Sequence, residues 1–217
     1  MNDHSCRLCL IVAKRKGTDK YFRIIEAATK VFAEKGFFQS KVADIAREAG
    51  VADGTIYIYF KNKEDILISL FEEQMRLVLE NMEAKLSAVE DPAEKLKIFA
   101  LTHLKIAEDN RSMAEIMQVE FRQASKFINE YKNEQFARYI DIIAQIIREG
   151  QKKGVFRDDI VPGIAKMAFF GALDEMSRFW VLSSKRDYDI KTAAAQISQY
   201  FLEGLKVRAG HRPSNLH

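Results

Sequence analysis

Gly50 divides the stretch from Ser40 to Lys63 into two short amphipathic runs, SKVADIAREAG and VADGTIYIYFKNK, and this break constrains the fold more than any other feature of the chain. In the first run Val42, Ile45, Ala46 and Ala49 share one face at helical spacing. Ser40 stands just before it, where a side-chain oxygen accepts from free backbone N–H groups and caps a helix. Glycine adopts a left-handed backbone without steric cost, so Gly50 ends that helix. A second helix is expected from Asp53 to Phe60, with Ala52, Ile56 and Phe60 facing inward and Asp53, Gly54, Tyr57 and the flanking Lys61 facing outward. Two helices joined by a tight glycine turn form a helix-turn-helix, the arrangement that sets its second helix in a DNA major groove.

The rest of the chain reads as helix throughout. Only three prolines and ten glycines interrupt 217 residues, and no strand pattern or internal repeat appears. The first helix is expected from Thr18 to Lys35, burying Phe22, Ile25, Ala28 and Phe32, with Gly36 ending it and Phe37 and Phe38 plugging a three-helix core. A long fourth helix runs from Lys63 to Val89 on the period of Ile66, Leu67, Leu70, Phe71, Met75, Val78, Leu79 and Met82. It reaches from the DNA-reading unit into the body, as a transmitter of a signal must. Asp91 and Pro92 restart the chain as cap and first turn of a fifth helix, to Glu108. Ser112 to Glu115 reads as a capping box opening a sixth. The seventh spans Lys126 to Lys153 and ends at Gly154. Asp159 and Pro162 open an eighth, to Leu182, and the ninth spans Ile190 to Val207. The expected fold is all-α, about nine helices, in four segments: a flexible basic leader (1–17), a three-helix helix-turn-helix domain (18–63), a larger helical ligand-binding and dimerisation domain (64–208) and a disordered tail (209–217).

Charge is unevenly spread. The whole chain carries +3, but Lys14 to Lys63 holds eleven Lys and Arg against six Asp and Glu, so the remainder is net −2. A small basic unit on a near-neutral body suits contact with phosphate. Lys14, Arg15 and Lys16 read either as a solvated tail or as an arm reaching phosphates or the minor groove.

The run GVADGTIYIYFKNKEDIL, with KVADIAREAG before it, resembles the recognition segment of TetR-type transcriptional repressors, and EGQKKGVF is similar to the same family. VADGTIYIYFKNKEDILISLF looks most like the acyl-CoA-responsive fatty-acid-degradation regulators of Bacillus type within it. The resemblance implies that Thr55, Tyr59 and Lys63 hold the DNA backbone, for which a hydroxyl, a phenol and an ammonium are fitting donors. Ser40 and Lys41 join them at the N-terminus of the first motif helix, where backbone N–H groups also point at phosphate. Gly54, Tyr57 and Ile58 match positions nearer the base edges: Gly54 lets the backbone approach, and Tyr57 and Ile58 reach thymine methyls. Tyr57 as core filler is the competing reading. Asp53 could accept from cytosine N4, but capping the helix is the favoured reading. The recognition helix has no Arg or Gln, so DNA shape shares in the readout.

In the body, Phe99, Met113, Met117, Phe121, Met167, Phe169 and Phe170 suit an adaptable apolar cavity, although core packing explains any one of them. The expected ligand contacts are Phe99, His103, Met117, Phe121, Arg122, Tyr139 and Phe170. Arg122 and His103 either face solvent or hold an anionic head at the cavity mouth. VEFRQ resembles the matching segment of the acyl-CoA-responsive regulators, which favours Arg122 in that role. As in the family, the last two helices are expected to form a homodimer interface, with Ala168, Gly171 and Ala172 allowing close approach and Ile197, Tyr200, Phe201 and Leu205 on one side of the ninth. A dimer presents two recognition helices about 34 Å, or a near multiple, apart on a palindrome.

The resulting expectation is a homodimeric repressor of fatty acid degradation genes that binds palindromic operator DNA and is released by long-chain acyl-CoA. The alternative is a relative that senses lipophilic compounds and controls an efflux pump. No nucleophile–base set or phosphate-cradling loop appears, and His4, His211 and His217 lie in the tails, so catalysis is not expected and no cofactor is called for. Cys6 and Cys9 lack partners at zinc-site spacing, so no metal is expected. No apolar run is long enough to span a bilayer, and the expected location is a reduced cytoplasm.

Overall fold

A computed structural model of the chain describes residues 20–116, 134–183 and 187–207. Among them are nine helices: α1 (Lys20–Lys35), α2 (Val42–Ala49), α3 (Asp53–Tyr59), α4 (Lys63–Ser87), α5 (Pro92–Asp109), α6 (Arg111–Glu115), α7 (Glu134–Lys152), α8 (Pro162–Leu182) and α9 (Ile190–Leu205). The described residues contain no strand; their one β-type pairing is an isolated antiparallel bridge between Phe156 and Lys206. They fall into two compact units, residues 20–77 with 109–116 and residues 78–108 with 134–183 and 187–207. The units part within α4, beyond the start of that helix where the sequence boundary was expected.

The first unit is built as its apolar spacing dictates. α1 packs on α2 and buries Ile24, Ile25, Ala28, Val31 and Phe32; Ile45 and Ala46 of α2, and Ile56 of α3, which packs on α2, are buried as well. Phe37 closes this core against the edge of Phe32, with ring centres 5.4 Å apart. Phe38 does not join it and is 59% exposed. Ala52, expected inside, is also exposed, because it precedes the first turn of α3 instead of sitting on its inner face. Gly50 adopts φ 64°, and its N–H bonds the Arg47 carbonyl. Arg23 reaches across from α1 to donate to the Ala49 carbonyl at 2.5 Å, so the end of α2 is fixed to α1. Tyr21 stacks on Phe60 at 5.1 Å, and α6 packs on α1.

The second unit packs α7 against α8 and α8 against α9. The Asp91 carboxylate accepts from Ala93 N at 3.0 Å, as the Asp-Pro restart requires. The turn after α7 is held by a close approach: a Cβ on Gly150 would stand 2.0 Å from the Phe156 ring. Two expected caps differ. Asn110, not Ser112, caps α6 through its side-chain oxygen, which accepts from Met113 N at 3.1 Å. Asp159 does not open α8; it pairs with Arg157 at 2.6 Å, and Val161 stands at the cap before Pro162. The expected start of the seventh helix, Lys126, lies outside the described residues.

Candidate functional site

The outer face of α2 and α3 carries Lys41, Asp53, Gly54, Tyr57, Ile58 and Tyr59, all exposed, with Thr55 half-buried beside them. Tyr57 is 58% and Ile58 76% exposed, so Tyr57 is not core filler. A Cβ on Gly54 would meet nothing within 4 Å, so no packing inside the chain demands glycine there. Asp53 is the first helical residue and makes no cap; Ala52 holds the cap position without a side-chain bond. An acid in a first turn still complements the helix dipole.

Two expected phosphate contacts are engaged elsewhere. Ser40 is 3% exposed, and its hydroxyl donates to the Gly36 carbonyl at 2.6 Å. It therefore neither caps α2 nor faces outward. Lys41 occupies the cap position instead, and its N–H donates to Asp44 Oδ2 at 3.1 Å. Asp44 also pairs with Lys35 at 3.0 Å, and these contacts, Lys35 foremost, hold its carboxyl below the usual range. Lys63 turns inward. Its ammonium donates to the carbonyls of Phe37 at 2.7 Å and Ser40 at 2.9 Å, with Phe38 at 3.4 Å, and lies 4.4 Å from the Phe37 ring centre. This lysine ties the turn before α2 to the start of α4. Lys61, two residues earlier and exposed, presents its charge on the outer side. The sequence motif marks both lysines; only the fold shows which one turns inward.

The second unit gathers His103, Phe99, Tyr139 and Phe170 of the expected ligand contacts into one buried cluster. Phe99 is 0%, Tyr139 2%, Phe170 8% and His103 9% exposed. The imidazole lies parallel to Phe99 at 6.3 Å and meets the edge of Phe170 at 5.5 Å. His103 Nδ1 and the Tyr139 hydroxyl are 2.8 Å apart. Burial drives the His103 pKa down to about 4, with Asp174 pulling weakly the other way. The ring is therefore neutral at pH 7 and cannot hold an anionic head by charge. Burial likewise raises the Tyr139 phenol, which stays protonated. Met117, Phe121 and Arg122 lie outside the described residues. Met167 leaves the cavity set, being 57% exposed on α8.

Met167 belongs instead to an outward stripe on α8 with Ile164, Gly171, Phe179 and Leu182. On α9 the four expected interface residues divide. Ile197 and Leu205 are buried, Phe201 packs on Phe169 at 5.0 Å, and Tyr200 alone points out, 69% exposed. Among the described residues no group of His, Cys, Asp or Glu is placed to hold a metal, and no helix is long and apolar enough to cross a membrane.

A helix-turn-helix unit of this form, carried in one chain with a larger helical unit, is the architecture of a bacterial DNA-binding regulator. Residues 24–70 match the bacterial regulatory proteins of the tetR family, and residues 71–204 match the C-terminal region of YsiA-like proteins. The chain belongs to the tetR family, whose members are transcriptional regulators and not enzymes. It is 37% identical over 186 residues to the fatty acid metabolism regulator protein of Bacillus subtilis, covering 86% of this chain and 95% of that one. The fatty acid degradation regulator FadR of Bacillus halodurans superposes with a TM-score of 0.79 at 38% identity, over 89% of this chain and all of the other. FadR of Bacillus subtilis, solved in complex with stearoyl-CoA, gives 0.76 at 36% identity, over 85% and 98%.

Proposed function

We propose that this chain is a homodimeric cytoplasmic repressor that binds palindromic operator DNA through α3, is released by long-chain acyl-CoA and controls fatty acid degradation genes. The observation that carries the reading is the likeness, over nearly the whole chain, to a regulator solved with stearoyl-CoA. The aromatic cluster on α5, α7 and α8 supports it, because it offers an apolar interior where an acyl chain leaves water. The exposed α8 stripe supports the dimer. Exposed Lys41, Tyr57, Ile58, Tyr59 and Lys61 support the DNA face. Release requires only that the ligand bind one state better than the other, with a coupling of about 1–3 kcal/mol. Chain burial at about 0.8 kcal/mol per CH₂ supplies ample energy for that.

The test is operator release, followed by fluorescence anisotropy on a duplex selected from a random pool. Stearoyl-CoA should release the DNA at low concentration, shorter acyl-CoA only at higher concentration, and free CoA not at all. Release independent of chain length, or release only by neutral drug-like compounds, would favour an efflux regulator instead.

A further inference from the structure

Native interiors pair more than nine in ten of their buried polar groups, and each exception asks for an explanation. Among the described residues two buried side-chain atoms have no hydrogen-bond partner, His103 Nε2 and Ser177 Oγ, both in the second unit. Ser177 is the more telling for its contrast with Ser198. Ser198, equally buried on α9, satisfies its hydroxyl by donating to the carbonyl one turn back, Ala194 O, at 2.6 Å. Ser177 stands in a helix where the same bond is available and does not make it. It lies on the buried face of α8 that also carries Phe170, whose ring meets His103. This interior therefore holds two polar atoms that no described residue satisfies.

The His103 tautomer follows from the same accounting. If Nδ1 carried the proton and donated to Tyr139, the phenol hydrogen and the Nε2 lone pair would both be left unpaired. If the phenol donates to Nδ1, only Nε2–H is left. Unpaired buried groups are costly, so the second arrangement wins. Nε2 is then a neutral donor in an aromatic enclosure. Its fitting partner is an acceptor that brings no charge inside, since an uncompensated anion loses far more on leaving water than one neutral donor returns. An alkyl chain has no acceptor of its own; the carbonyl at its head is the first one available.

We propose that His103 Nε2–H is the donor that recognises the carbonyl oxygen of an acyl thioester, so that the site selects an acyl chain with a neutral carbonyl head over a bare hydrocarbon or a free carboxylate. Tyr139 is the positioning residue that fixes the donor tautomer. The inference rests on the acyl-CoA reading above and adds to it the polar contact that the described residues do not make.

The test compares stearoyl-CoA with its S-alkyl thioether analogue, which differs only in lacking the carbonyl oxygen, with stearate as a third arm. Half-release of operator DNA by the wild-type protein should need about five to ten times more thioether than thioester, the worth of one neutral hydrogen bond. His103→Phe should bring the two within about twofold, while His103→Gln, which keeps an N–H donor, should restore part of the difference. Operator binding without effector and circular dichroism establish that the variants fold. Should His103→Phe fail to fold, the Nε2 resonance of histidine-labelled wild-type protein decides the matter: it should move with thioester and stay with thioether. Equal release by thioester and thioether in the wild type, undiminished discrimination in His103→Phe, or an Nε2 resonance blind to the carbonyl overturns the assignment while leaving the acyl-CoA reading in place. Release by neither CoA ligand removes both.

Discussion

Lys63→Met tests whether this lysine grips DNA or its own chain. The substitution keeps much of the side chain's length and apolar stem and deletes the charge. Two short bonds disappear, to Phe37 O at 2.7 Å and Ser40 O at 2.9 Å, together with the contact to the Phe37 ring at 4.4 Å. A hydrogen bond to a charged group contributes about 1.5–3 kcal/mol when buried, and a cation over an aromatic face about 0.5–1 kcal/mol at exposed sites. The site is half-buried, so water recovers much of this, and about 2 kcal/mol is the expected loss of stability. For a chain of 217 residues that lowers the melting temperature by roughly 4–8 °C. Operator binding answers the other half of the question. A lysine on a phosphate contributes about 0.9 to the slope of log K against log salt, so a true phosphate contact would lower the slope by that much. We expect the Lys63→Met slope to match the wild type, with affinity reduced at every salt concentration because the turn before α2 is less firmly held. Lys61→Met should do the reverse, lowering the slope by about one at unchanged melting temperature. A Lys63→Met protein with full thermal stability and a reduced slope would refute the inward placement of this ammonium.

Three further predictions follow from particular contacts. A Cβ at Gly171 would meet nothing within 4 Å in the single chain, so Gly171→Leu should leave the monomer fold intact and fail in assembly; sedimentation at micromolar concentration should show monomer, and an unchanged dimer would clear this stripe of the role. Gly150→Ala places a methyl 2.0 Å from the Phe156 ring, and overpacking strain of about 1–3 kcal/mol should outweigh the roughly 1 kcal/mol that alanine adds to a helix; urea unfolding should show a lower midpoint, restored when Phe156 is also cut to Leu. For His103 the folded pKa lies near 4 against an ordinary 6.5, so the unfolded chain binds the extra proton first. Its contribution to stability is complete above pH 6.5 and declines as pH falls towards 4, by about 3 kcal/mol in all. The urea midpoint of the wild type should therefore fall relative to that of His103→Phe as pH drops through that window, and parallel curves would show a solvated imidazole.

The features legible in the sequence are those set by residues close to one another along the chain. Gly36, Gly50 and Gly154 end helices with positive φ because only their own backbone freedom is involved. Ile56 and Phe60 face inward at the spacing a helix dictates, and Asp91 caps through the N–H two residues on. The misreadings at polar residues share one cause, a group with more than one possible partner. Ser40 could cap α2 or bond back to Gly36, and its burial beneath the turn selects the second. Ser112 has the spacing of a capping box, yet Asn110 lies two residues earlier and takes the Met113 N–H first. Lys63 has its partners 23 to 26 residues away, beyond the reach of any local pattern.

His103 shows the limit from the other direction, because its identity was legible while its chemistry was not. A histidine mid-way along a helix reads as a side chain facing solvent or as the holder of an anionic head at a cavity mouth, and the buried neutral ring is neither, since the sequence specifies the residue and not the dielectric around it. The outcome is set by Tyr139, 36 positions on, and by the rings of Phe99 and Phe170, which pack against the imidazole. Once the ring is neutral, a site that meets a charged ligand must divide the work. The aromatic enclosure can take a chain and a neutral acceptor, while the phosphates of a CoA head must find cations outside it. The Arg122 of the sequence reading and His103 therefore cannot be two copies of one anion contact: the arginine keeps its charge in any surroundings, and the histidine has already lost its own.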